Sequence, residues 1–124
     1  MQTLKANVSK SLELYNKTCI WLDENKSFEN TYQALTHNNE LSEKLFHEEI
    51  MIASGFTTGC RRRYFNRHCF FVEGNEVIDV TFDSIHKLEV REYVVVRLYT
   101  FTEHLKLINY ESNKSVNELN FKFI

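Results

Sequence analysis

Residues 67–82, RHCFFVEGNEVIDVTF, set two short apolar, β-branched runs on either side of Gly74-Asn75. Gly takes the positive φ that the first central position of a II′ turn needs, so the stretch predicts a two-residue β-hairpin. In that register Glu73 opposes Glu76, Phe70 opposes Asp79 and His68 opposes Thr81. Strand side chains alternate sides, which puts His68, Phe70, Val72, Val77, Asp79 and Thr81 on one face. Cys69, Phe71, Ile78, Val80 and Phe82 share the other. His68 and Asp79 become diagonal neighbours within side-chain reach. A one-residue bulge at the turn would turn Asp79 away.

Before the hairpin the pattern is helical. Leu4, Val8, Leu12 and Tyr15 predict an amphipathic helix over residues 3–15, ended by Asn16-Lys17-Thr18. A second helix is expected from Cys19, with Asn16 or Thr18 as N-cap and Trp21, Phe28, Tyr32 and Leu35 on one face. A break at Asn25-Lys26-Ser27 could interrupt it. A third helix is expected over residues 40–49, with Leu41, Leu45 and Phe46 inward. Residues 50–56 change period and predict a strand, followed by a basic loop with a turn at Gly59.

After the hairpin, residues 83–92 form a connection without a clear period. Residues 93–101, YVVVRLYTF, predict a strand whose continuous apolar character suggests a central position. Thr100 and Glu103 have capping-box spacing and predict a short helix start. A last strand is expected over residues 119–124. Helices first and then a small antiparallel sheet is the α+β pattern.

The chain has 124 residues, enough for one domain, 1–124, with a real core. A net charge of −2 gives no global field favouring nucleic acid or an anionic membrane. No run approaches the 18 apolar residues of a membrane span, and MQTLKANVSK lacks the apolar core of a secretory signal. Three cysteines, an odd number, suit free thiols in a reducing compartment, so a cytoplasmic location without membrane partners is expected.

The candidate chemistry starts from His68 and Asp79, because an imidazole oriented by a carboxylate is two parts of a nucleophilic triad. Cys19, at an expected helix start, would gain from unpaired N–H groups and the positive dipole end, against the nearby charges of Asp23 and Glu24. The order is then similar to a known one. A helix-start Cys19, a strand ending in Gly55-Phe56, then His68, Gly74, Val77-Ile78-Asp79 and Thr81 resembles the transglutaminase-like branch of the papain-like cysteine hydrolases, in particular compact bacterial and phage members.

The resemblance spans about residues 16–82, with 49 positions from Cys19 to His68 and Val80 where Pro is usual. It implies a papain-like core in which Cys19, His68 and Asp79 attack an amide or peptide carbonyl through a thioester, releasing the acyl group to water or an amine. It also implies an oxyanion held by backbone N–H groups at the helix start, Cys19 included, with Asn16 as a supporting side chain. A peptide or small amide substrate is expected, with no cofactor.

Other readings stand beside this one. A free Cys is commonly a small buried hydrophobe, the role expected for Cys69 among Phe71 and Val80. Cys60, beside Arg61, Arg62 and Arg63, is a rival nucleophile. No CxxC or HxxxH spacing supports a metal, and His37, His47, His86 and His104 are expected at the surface. The arginines and aromatics of residues 61–67 could instead make a non-catalytic binding module for a phosphorylated ligand, a nucleotide or a nucleic acid, or bind an anionic ligand at the site entrance. A third reading is an interaction protein pairing through the edge of residues 119–124; the oligomeric state is left open.

Overall fold

The hairpin forms in the register its alternation requires. The computed structural model describes residues 3–23, 26–58 and 66–111. Strands β3 (Asn66–Glu73) and β4 (Glu76–Ile78) pair antiparallel, with Glu73 opposite Glu76, Val72 opposite Val77 and Phe71 opposite Ile78. Gly74 has φ 62°, the left-handed conformation the turn needs. The ladder stops at Ile78, so the expected pairs further along, Phe70 with Asp79 and His68 with Thr81, do not form as strand pairs.

Two further predicted strands are present. β2 (Met51–Thr57) pairs antiparallel with β3, and β5 (Glu92–Tyr99) pairs antiparallel with β2. The strand absent from the sequence reading is β1 (Thr3–Ala6), which occupies the start of the expected first helix. It pairs parallel with β4 and antiparallel with β5, closing the five strands into a barrel in the order β1-β4-β3-β2-β5. The α+β class holds, but the sheet is closed rather than open, one pairing is parallel, and a strand precedes the helices. Closure depends on contacts between β1 and strands more than 70 residues away, which no local period encodes.

Leu4, Ala53, Phe70, Val77 and Tyr93 fill the barrel interior. The opposite face of the same strands carries Ile52, Cys69, Phe71, Ile78 and Tyr99, packed under Leu14, Phe28, Leu35 and Leu41 from the helices. The two hairpin faces thus sort as the alternation predicts, and burial of Cys69 at 1% exposure agrees with its expected core role. Each large side chain buried this way contributes roughly 1.5–3 kcal/mol. β5 is less enclosed than its composition suggests: Val96 and Leu98 are exposed.

Gly55 permits a close strand approach. A Cβ there would lie 1.8 Å from the Val94 carbonyl oxygen, where β2 and β5 shift register between Ser54 and Gly55. The Asn7 side chain caps α1 (Val8–Thr18) through the Lys10 amide at 3.0 Å. α1 continues through the expected stop to Thr18, whose hydroxyl donates to the Leu14 carbonyl at 2.7 Å. A 3₁₀ turn, Cys19–Trp21, follows, and Trp21 stacks on His37 with centroids 3.8 Å apart.

The chain then restarts as α2 (Ser27–Thr36) and α3 (Asn39–Phe46), the latter capped by Asn38. Phe46, expected inward, is exposed. Glu73 at the hairpin turn is held by Lys10 of α1 and, at 3.2 Å, by Lys44 of α3, which keeps its carboxyl below its ordinary value. Ser84 caps α4 (Ile85–Val90). Thr100 and Glu103 form the expected capping box at the start of α5 (Phe101–Glu111), with reciprocal bonds of 3.0 and 3.1 Å.

Candidate active site

β4 ends at Ile78, and residues 79–81 leave β3 to be held by the helices. Ser11 of α1 accepts the Asp79 amide at 3.0 Å, and Asn30 of α2 donates to the Thr81 hydroxyl at 2.8 Å. Asn30 also accepts from the Asp23 amide and donates to the Asp23 carbonyl, fixing the segment before α2. This turns the Asp79 side chain toward His68 without any strand pairing between them. His68 Nε2 lies 2.9 and 3.0 Å from the two Asp79 oxygens, and the two residues are 8% and 0% exposed.

Asp79 has further partners. The Tyr93 hydroxyl donates to Oδ2 at 2.5 Å, the Thr81 amide donates to Oδ1 at 2.9 Å, and Arg91 Nη1 stands 3.5 Å from Oδ2. Burial raises the Asp79 carboxyl, but the charge and hydrogen bond of His68, the Tyr93 hydroxyl and the Thr81 amide outweigh it and hold the group below its ordinary value. Burial and then the Asp79 charge raise the Tyr93 phenol, so it stays a donor. An ionised Asp79 accepts only, so the hydrogen shared with a neutral His68 sits on Nε2 and Nδ1 carries the lone pair. Nδ1 makes no hydrogen bond to the described residues.

The expected third member lies elsewhere in the local structure. Cys19 begins a 3₁₀ turn at the C-terminal end of α1, not the N-terminus of a helix. The unpaired groups at such an end are carbonyls rather than N–H donors, and the contact of its sulfur is with the Asn16 carbonyl at 4.0 Å. No hydrogen bond joins Cys19 to His68. Asn16 lies inside α1 and caps nothing, which corrects its expected place at a helix start. Cys60, Arg61, Arg62 and Arg63 lie outside the described residues, as do Gly59 and the expected strand at residues 119–124. Arg67, at the other end of the basic stretch, stacks its guanidinium 4.8 Å from the Phe28 ring centroid.

The helix start that does reach β3 belongs to α2. Its first residue, Ser27, is 8% exposed, and its Oγ accepts the amide of Cys69 at 3.0 Å. The break noted at Asn25-Lys26-Ser27 was the signal for this position, since Ser favours helix starts over helix interiors. Tyr93 and Arg91 were missed because they reach Asp79 across the barrel mouth from another strand and from the turn before it.

His104 corrects another expectation. It is 0% exposed, not at the surface, with Nε2 3.9 Å from Cys69 Sγ. Among the described residues, no group of three or more His, Cys, Asp or Glu side chains could hold a metal. No helix among them is long and apolar enough to cross a membrane.

The chain matches no protein-family model, no curated protein and no solved structure.

Proposed function

We propose that this protein is a hydrolase or acyltransferase that acts on an amide or acyl carbonyl, with His68 as general base and Asp79 as its orienter. The observation that carries the reading is the buried His68–Asp79 pair, with Nε2 tied to the carboxylate and Nδ1 left for a nucleophile. An imidazole held this way takes a proton from a hydroxyl or thiol, and the carboxylate stabilises the imidazolium that forms. The segment that orders Asp79 is itself bonded to α1 and α2, which suits a site needing fixed geometry.

The reading keeps the resemblance of the His68…Asp79 stretch to the transglutaminase-like, papain-like hydrolases, while the closed barrel and the position of Cys19 depart from the core that the resemblance implies. The substrate class is a peptide or small amide. The test is steady-state turnover of activated esters and peptide amides by the full chain and by His68→Asn. Turnover that falls by about a hundredfold or more in the variant supports the reading. Equal rates for both proteins overturn it.

A further inference from the structure

We propose that Arg91 is the counter-ion of Asp79 between turnovers and, acting through it, keeps the His68 ring uncharged and able to take a proton. The inference rests on the acyl-transfer reading above and deepens it by naming a positioning residue for the same pair. The Asp79 carboxylate is fully buried, and a buried charge needs a partner of opposite sign. Two groups that can carry positive charge reach it, His68 Nε2 at 2.9 Å and Arg91 Nη1 at 3.5 Å. A His68 that supplied the compensating charge would stand as an imidazolium, with no lone pair for a substrate proton. Arg91 carries its charge at every working pH.

The local structure fixes Arg91 where this role needs it. It closes α4, its amide bonding the Lys87 carbonyl at 2.9 Å, and its extended φ and ψ of −63° and 142° lead into β5. Tyr93, two residues on, leaves the chain on the same side, and both side chains reach Asp79 Oδ2. The buried guanidinium also donates to the Thr81 carbonyl at 3.3 Å, while the Thr81 amide donates to Asp79 Oδ1. Arg91 stands farther from the carboxylate than His68 or the Tyr93 hydroxyl, so it balances the charge without displacing the imidazole. Of the elements around the pair, α1 brings Ser11, α2 Asn30 and β5 Tyr93, none of them charged. The Asp83 carboxyl feels both Arg91 and His68, but its side chain is half-exposed and bonds Lys87 at 2.8 Å, so it is screened.

At rest, Asp79 and Arg91 sum to zero charge beside a neutral ring. When His68 takes the proton of the attacking nucleophile, the cluster holds one positive charge, which leaves as the proton passes to the leaving group. Without Arg91, the buried carboxylate has only an imidazolium to neutralise it, and the ring holds its proton to higher pH.

The experiment follows the His68 ring by NMR against pH in the full chain, in wild type, Arg91→Met and Arg91→Lys, with His68→Asn for assignment. We expect the ring transition to move up by at least about one pH unit in Arg91→Met, and to return most of the way in Arg91→Lys, which restores the charge. The acid limb of p-nitrophenyl acetate turnover moves with it. A transition that stays or falls in Arg91→Met, or that Arg91→Lys leaves displaced, overturns the proposal. Where Arg91→Met does not fold, its combination with Asp79→Asn decides: a folded double variant ties Arg91 to the Asp79 charge, and one that stays unfolded assigns Arg91 to packing and overturns the proposal. Wild-type ester turnover with an unmoved ring transition overturns Arg91 and leaves the acyl-transfer reading intact. A transition that moves as expected, in a protein without ester turnover, keeps the counter-ion and overturns that reading.

Discussion

The Tyr93 hydroxyl donates to Asp79 at 2.5 Å, so the carboxylate that holds His68 is itself held by β5. The contact crosses the mouth of the barrel and ties the site to the interior packing of Phe70, whose ring lies 5.0 Å from that of Tyr93. Removing the hydroxyl leaves the ring in place and takes one strong donor from a buried charge. Tyr93→Phe should lower stability by about 1.5–3 kcal/mol, the usual value for a hydrogen bond to a charged group, measured as a shifted urea midpoint.

Asp79→Asn keeps the shape of the side chain and removes its charge. The amide can still touch His68, but it no longer dictates which ring nitrogen carries the hydrogen. Ester turnover should fall on the order of ten-thousandfold. The variant also tests whether Asp79 is only structural: a large loss of stability with turnover per folded molecule unchanged would assign it to packing.

Acid should weaken the fold first through His104. Burial pushes its pKa from 6.5 down to about 4, against a smaller opposing effect of a backbone hydrogen bond at Phe28. The unfolded chain takes up the proton near 6.5, the folded one near 4, so the unfolded state binds more protons between those values. The stability this residue contributes is complete above pH 6.5 and is lost as pH falls through about 4, amounting to about 3 kcal/mol at most. Asp79, whose carboxyl is held below its ordinary value, adds a further loss at lower pH. His104→Leu should flatten the decline between pH 7 and pH 4.5, seen as urea midpoints at the two values. An equally steep decline in the variant would remove His104 from the account.

Gly55 has a steric task. The Cβ of Gly55→Ala would meet backbone atoms of β5 rather than a flexible side chain, with the Val94 carbonyl oxygen 1.8 Å away. The strands would have to separate at the β2–β5 register shift, at a cost on the order of 3 kcal/mol. A thermal melt of Gly55→Ala within a degree or two of wild type would contradict the described β2–β5 approach.

The pair at the heart of the site was legible because its signals are local. A Gly-Asn turn sets the register from Glu73–Glu76 to Phe71–Ile78, and Asp79 then reaches His68 because Ser11 and Asn30 hold residues 79–81. The capping box at Thr100 and Glu103, the β5 run and the cap at Asn38 were legible for the same reason. The start of the chain was not. Leu4 is the buried residue of the four-residue strand β1, and at spacing four from Val8 it suits a helix equally well. Residues 16–28 carry apolar side chains at helical spacing across what is in fact a helix end, a 3₁₀ turn and a new helix, with no Pro to mark the boundary. That single misplacement moved the expected helix start from Ser27 to Cys19.

The most direct measurement of the central claim is intact-mass analysis of the full chain after brief exposure to p-nitrophenyl acetate, in wild type and in His68→Asn. If His68 is the base of an acyl-transfer site, wild type carries one acetyl group that is lost with time as the ester turns over, and His68→Asn acquires it at least about a hundredfold more slowly. Identical acetylation of the two proteins, spread over lysines and thiols, would contradict the account.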